Sequence, residues 1–347
     1  MDVRLSSEQQ ALRDAAARLA DDLGPKSVAE LGDGARAAKL DTALEATGWR
    51  ELRTPADGNR PLASAVEAAI VAEELGRGLA DTSFLGPTLA AELRRRASAP
   101  PATVPETVLL TPDLSRLAVA GGAGEPCSGT AIDVQGITSA LALAEVAGGH
   151  ELVTVPVYGT SPSRDLTRPA AEVSGPPAVR LPGTQTPLSA ADIEGWTAFV
   201  VALTCADLVG TMRGAVELAC SYAGVRQQYG TAIGSFQSVQ HMLADAHVSV
   251  EGSRSVALHA AWAADTLPAG EALDAAAVAK AYCARAARAV CETAIQVHGG
   301  IGNTWECLAH VHLRRALLST QLLGGVGAHL DRVAARREIG GVPGGLR

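Results

Sequence analysis

The hydrophobic period of this chain changes twice, and those two changes limit what it can fold into. Ser98-Ala-Pro-Pro-Ala-Thr-Val-Pro105 is too dense in proline to be helical, and it ends a stretch that reads as helix throughout. Upstream of it, Leu12, Ala15, Ala16, Leu19 and Ala20 fall at helical spacing and predict a first helix over residues 6–22. Ser6 or Ser7 would cap it, with Glu8 in the first turn. Further helices are predicted near residues 37–47, closing at Gly48, and over residues 62–79. A fourth would start at Asp81 or Thr82 and continue past Pro87 through residues 89–96.

Downstream of the prolines the pattern is of β type. Val108-Leu-Leu110, Leu117-Ala-Val119, Ala131-Ile-Asp-Val134 and residues 151–157 and 170–173 are short strand-like runs. Gly121-Gly-Ala-Gly124, Gly148-Gly149 and Gly159 punctuate them. The region is short for an independent ligand-binding barrel. After a linker at residues 183–187 the helical period returns over residues 190–222, 237–264, 271–298, 306–322 (capped by Thr304) and 327–337. His241, Asp245, Glu251 and Arg254 read as a wetted stripe on the second of these. Long amphipathic helices after a β insert predict an up-and-down four-helix bundle. The fold class is therefore mainly α with a small β domain. The expected division is a helical domain over residues 1–100, a β domain over 101–187 and a helical bundle over 188–347.

Charge and composition narrow the partners. A formal net charge of -8 argues against nucleic acid, since binding a polyanion requires a basic face. No run of 18 or more uncharged apolar residues is present, so no membrane partner is expected. The first residues lack the basic and apolar regions of a signal peptide. The six cysteines contain no CxxC pair and read as buried thiols of a reducing cytoplasm; no metal site is expected. Aromatic residues make up only 3 %, leaving few stacking partners for a flat ligand.

Two segments carry chemistry. In Arg226-Gln-Gln-Tyr-Gly-Thr-Ala-Ile-Gly-Ser-Phe-Gln237 a basic residue ends one helix, a Tyr-Gly turn follows, and another helix begins. Helix N-termini and Gly-rich turns present free N–H groups to anions, and Arg adds a planar, permanently charged fork suited to phosphate. The second segment is Gln296-Val-His-Gly-Gly-Ile-Gly302. Each alone describes a generic anion site.

Together they resemble the two signatures of the acyl-CoA dehydrogenases. The first matches the family's Arg-x-x-Phe-Gly-x-x-Ile-x-x-Phe-Gln pattern; the second, followed by Arg314-Arg-Ala316, matches its Gly-Gly-x-Gly element. The resemblance implies a helical domain, a β domain and a four-helix bundle, with FAD as cofactor. In that family the two segments cross a subunit interface and hold the ADP part of an FAD whose ring sits in the neighbour. On this reading Arg226 and Gln228 contact the ADP portion, Phe236 and Gln237 line it, and Gln296, Val297, Gly299 and Gly300 close over it.

The departures from the family are as informative. Its catalytic glutamate removes an α-proton from the acyl thioester while hydride passes to the flavin. By count, the positions for that residue fall at His310, with Glu306 a turn earlier, and at Val200-Val201. The family's Trp-x-Thr and Thr-Glu-Pro elements are not found between residues 105 and 185, and Ser319-Thr-Gln-Leu-Leu-Gly-Gly325 stands in place of a Gly-Thr-Ser-Glu element. The elements retained serve a neighbour's flavin; those lost serve the chain's own.

The chain thus resembles the short subunits of heteromeric (α2β2) actinobacterial acyl-CoA dehydrogenases of sterol side-chain degradation. That resemblance implies a chain with no catalytic residue of its own and a homologous partner subunit that supplies the glutamate. It also implies a bulky steroid-type acyl-CoA substrate and an electron-transfer flavoprotein or similar acceptor. Two alternatives stay open: a self-sufficient homo-oligomer using His310 or Glu306 as base, and a non-catalytic scaffold.

Overall fold

The structure is a computed structural model that describes residues 4–183 and 187–337. Residues 184–186 of the expected linker and the last ten residues of the expected bundle domain lie outside the described residues. Helix α1 (Ser7–Leu23) opens on a capping box between Ser6 and Gln9. Helix α2 (Gly34–Thr47) is capped by Asp33 and stops at Gly48, which takes φ 68. Helix α3 (Ala65–Arg77) opens on a second capping box, Ser64 with Glu67.

Helix α4 (Leu85–Arg96) begins later than its sequence implies. Both expected caps are engaged elsewhere: Asp81 pairs with Arg36, and the Thr82 hydroxyl donates to Asp41 while accepting from Arg50. The cap comes instead from the sheet. The Phe84 and Gly86 N–H groups donate to the Asp133 carboxylate at 2.9 and 3.0 Å.

The middle region is one sheet of β1 (Thr107–Leu110), β2 (Val119–Ala120), β3 (Gly129–Ala131), β4 (Ser139–Val146), β5 (Gly149–Pro156), β6 (Ala171–Val173) and β7 (Val179–Arg180). The order is β6-β3-β1-β4-β5-β7, with β2 also on β4. Strands β4 and β5 form an antiparallel hairpin from Ser139↔Pro156 to Val146↔Gly149, and β1 runs parallel to β4. The sequence reading had no strand at β4. Its pleat separates two cores: Leu141 and Leu143 join the one shared with the helices, while Ala140, Ala142 and Ala144 join a second within the sheet.

Helix α5 (Ala190–Val225) starts on a capping box of Ser189 and Asp192 and forms the axis of the C-terminal half. It passes so close to α3 that a Cβ at Gly210 would overlap the Glu73 carbonyl oxygen. By length and composition α5 would span a membrane, but 94 % of its most apolar stretch is buried. A short hairpin of β8 (Gln227–Gln228) and β9 (Thr231–Ala232) leads to α6 (Gln237–Thr266) and then α7 (Ala269–His298). A 3-10 turn (Gly299–Asn303), α8 (Ala309–Ser319) and α9 (Val326–Arg336) follow. The helix expected over residues 306–322 is thus shorter. The Thr304 hydroxyl accepts the Glu306 N–H at 3.4 Å and donates to the Ile301 carbonyl at 2.8 Å, but it caps no helix because α8 begins only at Ala309. The cysteine reading also needs correcting: Cys220 is exposed, the other five are buried.

Candidate cofactor-binding face

Helix α5 ends as its last N–H donor, Arg226, bonds Tyr222 O at 2.9 Å and the backbone turns extended (φ -70, ψ 125). The hairpin then closes through Ile233 N–H to Arg226 O at 2.8 Å and the pairs Gln227↔Ala232 and Gln228↔Thr231. Its two turn residues, Tyr229 (φ 52) and Gly230 (φ 81), are both left-handed, as a tight two-residue hairpin demands. Tyr229 is 96 % exposed and its ring stands edge-on to Phe236, 6.3 Å between centroids. Helix α6 then starts at Gln237 with no side-chain cap, so its first N–H groups stay available to an anion.

Arg226, Gln228 and Gln237 are exposed and Phe236 is half-buried. Arg226 makes no ion pair among the described residues. The second segment begins where α7 ends. Gly299 adopts φ 65, ψ -142, a conformation for glycine, while its N–H donates to Gln296 O and Ile295 O. Gln296, Gly299 and Gly300 are exposed, whereas Val297 is buried. The two segments are brought to one end of the bundle by a ring stack. Tyr222 lies on His298 with centroids 4.5 Å apart and planes 23° from parallel.

The candidates for a base lie apart from one another chemically. Glu306 is exposed in the loop before α8. The His310 ring is half-buried, its Nε2 has no partner, and it stands edge-on to Trp305 at 5.1 Å. Burial and the nearby Arg314 guanidinium hold its pKa below the ordinary value. Val200 and Val201 are fully buried.

Between the sheet and the C-terminal helices lies a polar network that the sequence reading missed. Arg168, from the segment joining β5 and β6, donates to Asp165 (2.7 Å), to Asp207 of α5 (3.0 Å) and to Ser319 of α8 (2.6 Å). Arg315 donates to the other oxygen of Asp207 at 2.6 Å and to Thr167 at 2.8 Å. All four charged groups are buried. Two guanidinium groups hold the Asp207 pKa down against the cost of burial. Asp133 is less well served: one oxygen has no partner, and burial raises its pKa. The void it lines with Leu85, Thr130, Ile132, Arg168 and Leu322 holds about 30 Å³. A sequence signal did exist, since Asp207 is the one charge in the middle of an apolar run, but nothing in the sequence named its partners.

These observations test the fit of a flavin dinucleotide. The exposed face offers a free guanidinium, three carboxamides, an uncapped helix N-terminus and an open glycine turn, the donor set a diphosphate needs. The sheet–helix interlayer does not fit an isoalloxazine ring. Small-molecule pockets run to roughly 300 Å³ or more, and this space is filled by paired charges.

The architecture, helices before a sheet before a helical bundle, is that of a flavin-dependent acyl-CoA-oxidising enzyme. Residues 201–337 match the acyl-CoA dehydrogenase C-terminal domain. The chain is 30 % identical over 343 residues to acyl-CoA dehydrogenase IpdE2 of Mycolicibacterium smegmatis, covering 95 % of this chain and 99 % of that protein. It belongs to the acyl-CoA dehydrogenase family, whose cofactor is FAD. Among solved structures, a chain of a variant of the Tcur3481-Tcur3483 steroid ACAD superposes with a TM-score of 0.80 at 22 % identity, covering 95 % of this chain and 98 % of that one. A chain of the ChsE4-ChsE5 complex from Mycobacterium tuberculosis does so with 0.78 at 21 %, covering 98 % and 100 %. These two likenesses establish the fold.

Proposed function

We propose that this chain is one subunit of a heteromeric FAD-dependent acyl-CoA dehydrogenase, probing no thioester itself but gripping the ADP part of a cofactor whose ring lies in a homologous partner. One observation carries the reading: Arg226, Gln228, Gln237, Gln296, Gly299 and Gly300 face solvent with the Arg226 side chain unpaired among the described residues, while the chain's own interlayer is closed by the Arg168–Asp207–Arg315 network. When bound, FAD supplies the hydride acceptor for α,β-dehydrogenation of an acyl thioester.

The work of this chain is binding and orientation. Arg226 neutralises diphosphate charge, and the free N–H groups opening α6 add to it. Gln228, Gln237 and Gln296 offer donors and acceptors to phosphate, ribose and base edges. Phe236 lines the site, and Gly299 and Gly300, with backbone at Val297, let the ligand approach closely. The partner supplies the catalytic glutamate and the flavin-ring pocket. The solved relatives carry names of paired subunits, one of them a steroid ACAD, which supports an α2β2 assembly acting on a bulky steroid-type acyl-CoA. Electrons would pass to an electron-transfer flavoprotein or similar acceptor, in the cytoplasm.

A self-sufficient enzyme is the weaker reading, because His310 has its basicity lowered and Glu306 sits in water without a desolvated cleft. The deciding experiment purifies the chain alone and with a co-expressed homologous subunit. The expected result is a colourless, inactive chain and a yellow, active complex. A yellow preparation of the chain alone that turns over acyl-CoA overturns the proposal.

A further inference from the structure

Each candidate clamp segment is tied to the helix it leaves. The first belongs to α5. Arg226 N–H donates to Tyr222 O at 2.9 Å, and Ile233 N–H closes the hairpin on Arg226 O at 2.8 Å. The turn that follows lies against the end of the same helix, since a Cβ at Gly234 would come 3.0 Å from Ala223 O. The second segment belongs to α7. Gly299 N–H donates to Gln296 O and Ile295 O. A Cβ at Gly302 would come 2.8 Å from Ile295 O and 3.0 Å from His298 Cβ. Both segments therefore move with their helix ends, and whatever joins those ends sets one segment against the other.

Two rings join them. Tyr222 lies in the last turn of α5, and His298 is the last residue of α7. Their centroids are 4.5 Å apart and their planes 23° from parallel, at the close limit of an aromatic stack. The His298 ring is fixed from its own helix. Its Nδ1 donates to the Ala294 carbonyl at 2.7 Å, one turn back, because a carbonyl can only accept. His298 is buried and Tyr222 half-buried. The Tyr222 hydroxyl has no partner among the described residues, so the ring face and not the oxygen makes the link. Most buried residues of α7 are alanine, and His298 is the one ring among them. Alanine brings few atoms to a contact, which leaves the stack to resist sliding at this end.

We infer that Tyr222 and His298 are positioning residues for FAD. They act through the segments they join. The stack holds Arg226 and the free N–H groups opening α6 against the glycine turn at Gly299 and Gly300, so that both halves meet one diphosphate. This inference rests on the function proposed above, in which those two segments grip the ADP part.

The test measures FAD affinity of the co-expressed complex by fluorescence titration of its apo form. Tyr222→Leu keeps a good helix former and apolar bulk but removes the flat ring. It is expected to weaken FAD binding about three- to tenfold, the worth of an aromatic pair. Tyr222→Phe restores the ring and is expected to bind FAD within about twofold of the unmodified complex. A double-mutant cycle with Arg226→Ala separates positioning from folding. If the stack aligns the two segments, Tyr222→Leu costs less than about twofold once the guanidinium it aligns is gone; if it acts through folding alone, the two losses multiply. Should Tyr222→Leu fail to fold, Tyr222→Met runs the same cycle.

Unchanged affinity in Tyr222→Leu beside weakened affinity in Arg226→Ala overturns this inference and leaves the clamp standing. Equal losses in Tyr222→Phe and Tyr222→Leu overturn it as well, as does a multiplicative cycle. Unchanged affinity in Arg226→Ala removes the clamp, and the inference with it.

Discussion

Arg168 reaches the Asp207 carboxylate at 3.0 Å, and that contact ties the sheet to the central helix of the bundle. Arg315 takes the other oxygen at 2.6 Å, so one carboxylate offsets two guanidinium groups where water is excluded. Removing it leaves Arg315 with no carboxylate among the described residues and Arg168 with Asp165 alone. Asp207→Ala is expected to destabilise the chain by about 3–5 kcal/mol, the usual cost of leaving a buried charge without its partner. Urea unfolding read by far-UV circular dichroism measures this. Glu292→Ala, which removes an exposed i,i+4 pair with Arg288, is the control and should change stability by no more than about 0.5 kcal/mol.

Much of this arrangement was legible in the sequence, and its failures have physical causes. The capping boxes at Ser6, Ser64 and Ser189 place three helix starts within a few residues. The Tyr229-Gly230 turn and the start of α6 at Gln237 were readable because they are local, lying adjacent in the chain to the arginine that ends α5. Strand β4 was not, because Ser139-Ala-Leu-Ala-Leu-Ala-Glu-Val146 is written in good helix formers, and only β1, β2 and β5 on either side make it a strand. The start of α4 failed for a similar reason, since its cap, Asp133, comes from 47 residues beyond Gly86. The Arg168 network joins residues 39 and 151 positions apart, and such pairing leaves no local pattern.

Arg226 tests the cofactor reading directly. Its side chain is exposed and pairs with no described residue, so Arg226→Ala should leave the folding of the chain unchanged within about 0.5 kcal/mol. In the co-expressed complex the same change should weaken FAD binding by roughly 1.5–3 kcal/mol, the worth of a hydrogen bond to a charged group. Fluorescence titration of the apo-complex with FAD reads the affinity. An unchanged affinity would remove Arg226 from the site.

Buried histidines predict an acid-sensitive fold. Burial lowers His312 to about 3 and His329 to about 4, whereas both would titrate near 6.5 in the unfolded chain. Below pH 6.5 the unfolded state therefore binds more protons than the folded one, and stability falls as pH falls. Each histidine contributes up to about 1.4 kcal/mol per pH unit. The contribution of His329 stops growing near pH 4 and that of His312 near pH 3. Urea midpoints between pH 7 and 5 should decline, and His312→Leu should flatten the decline. A slope identical to that of the unmodified chain would show that His312 is not held neutral.

Two glycines that look alike in the sequence should answer oppositely to the same substitution. At Gly210 an added Cβ meets the Glu73 carbonyl oxygen of α3, which is backbone and cannot swing aside. Gly210→Ala is expected to cost about 1–3 kcal/mol by forcing two packed helices apart, and to lower activity of the complex only as far as it lowers the amount of folded protein. At Gly300 an added Cβ meets nothing within 4 Å. Gly300→Ala should leave the stability of the isolated chain within about 0.5 kcal/mol of the original. If the turn closes over the ADP portion of FAD, that empty space belongs to the ligand. The alanine should then weaken FAD binding in the complex about tenfold or more while circular dichroism and urea midpoints of the chain stay put. Measuring both quantities for both variants separates a glycine kept for packing from one kept for a ligand. Equal FAD affinity in Gly300→Ala and the unmodified complex would place the dinucleotide elsewhere.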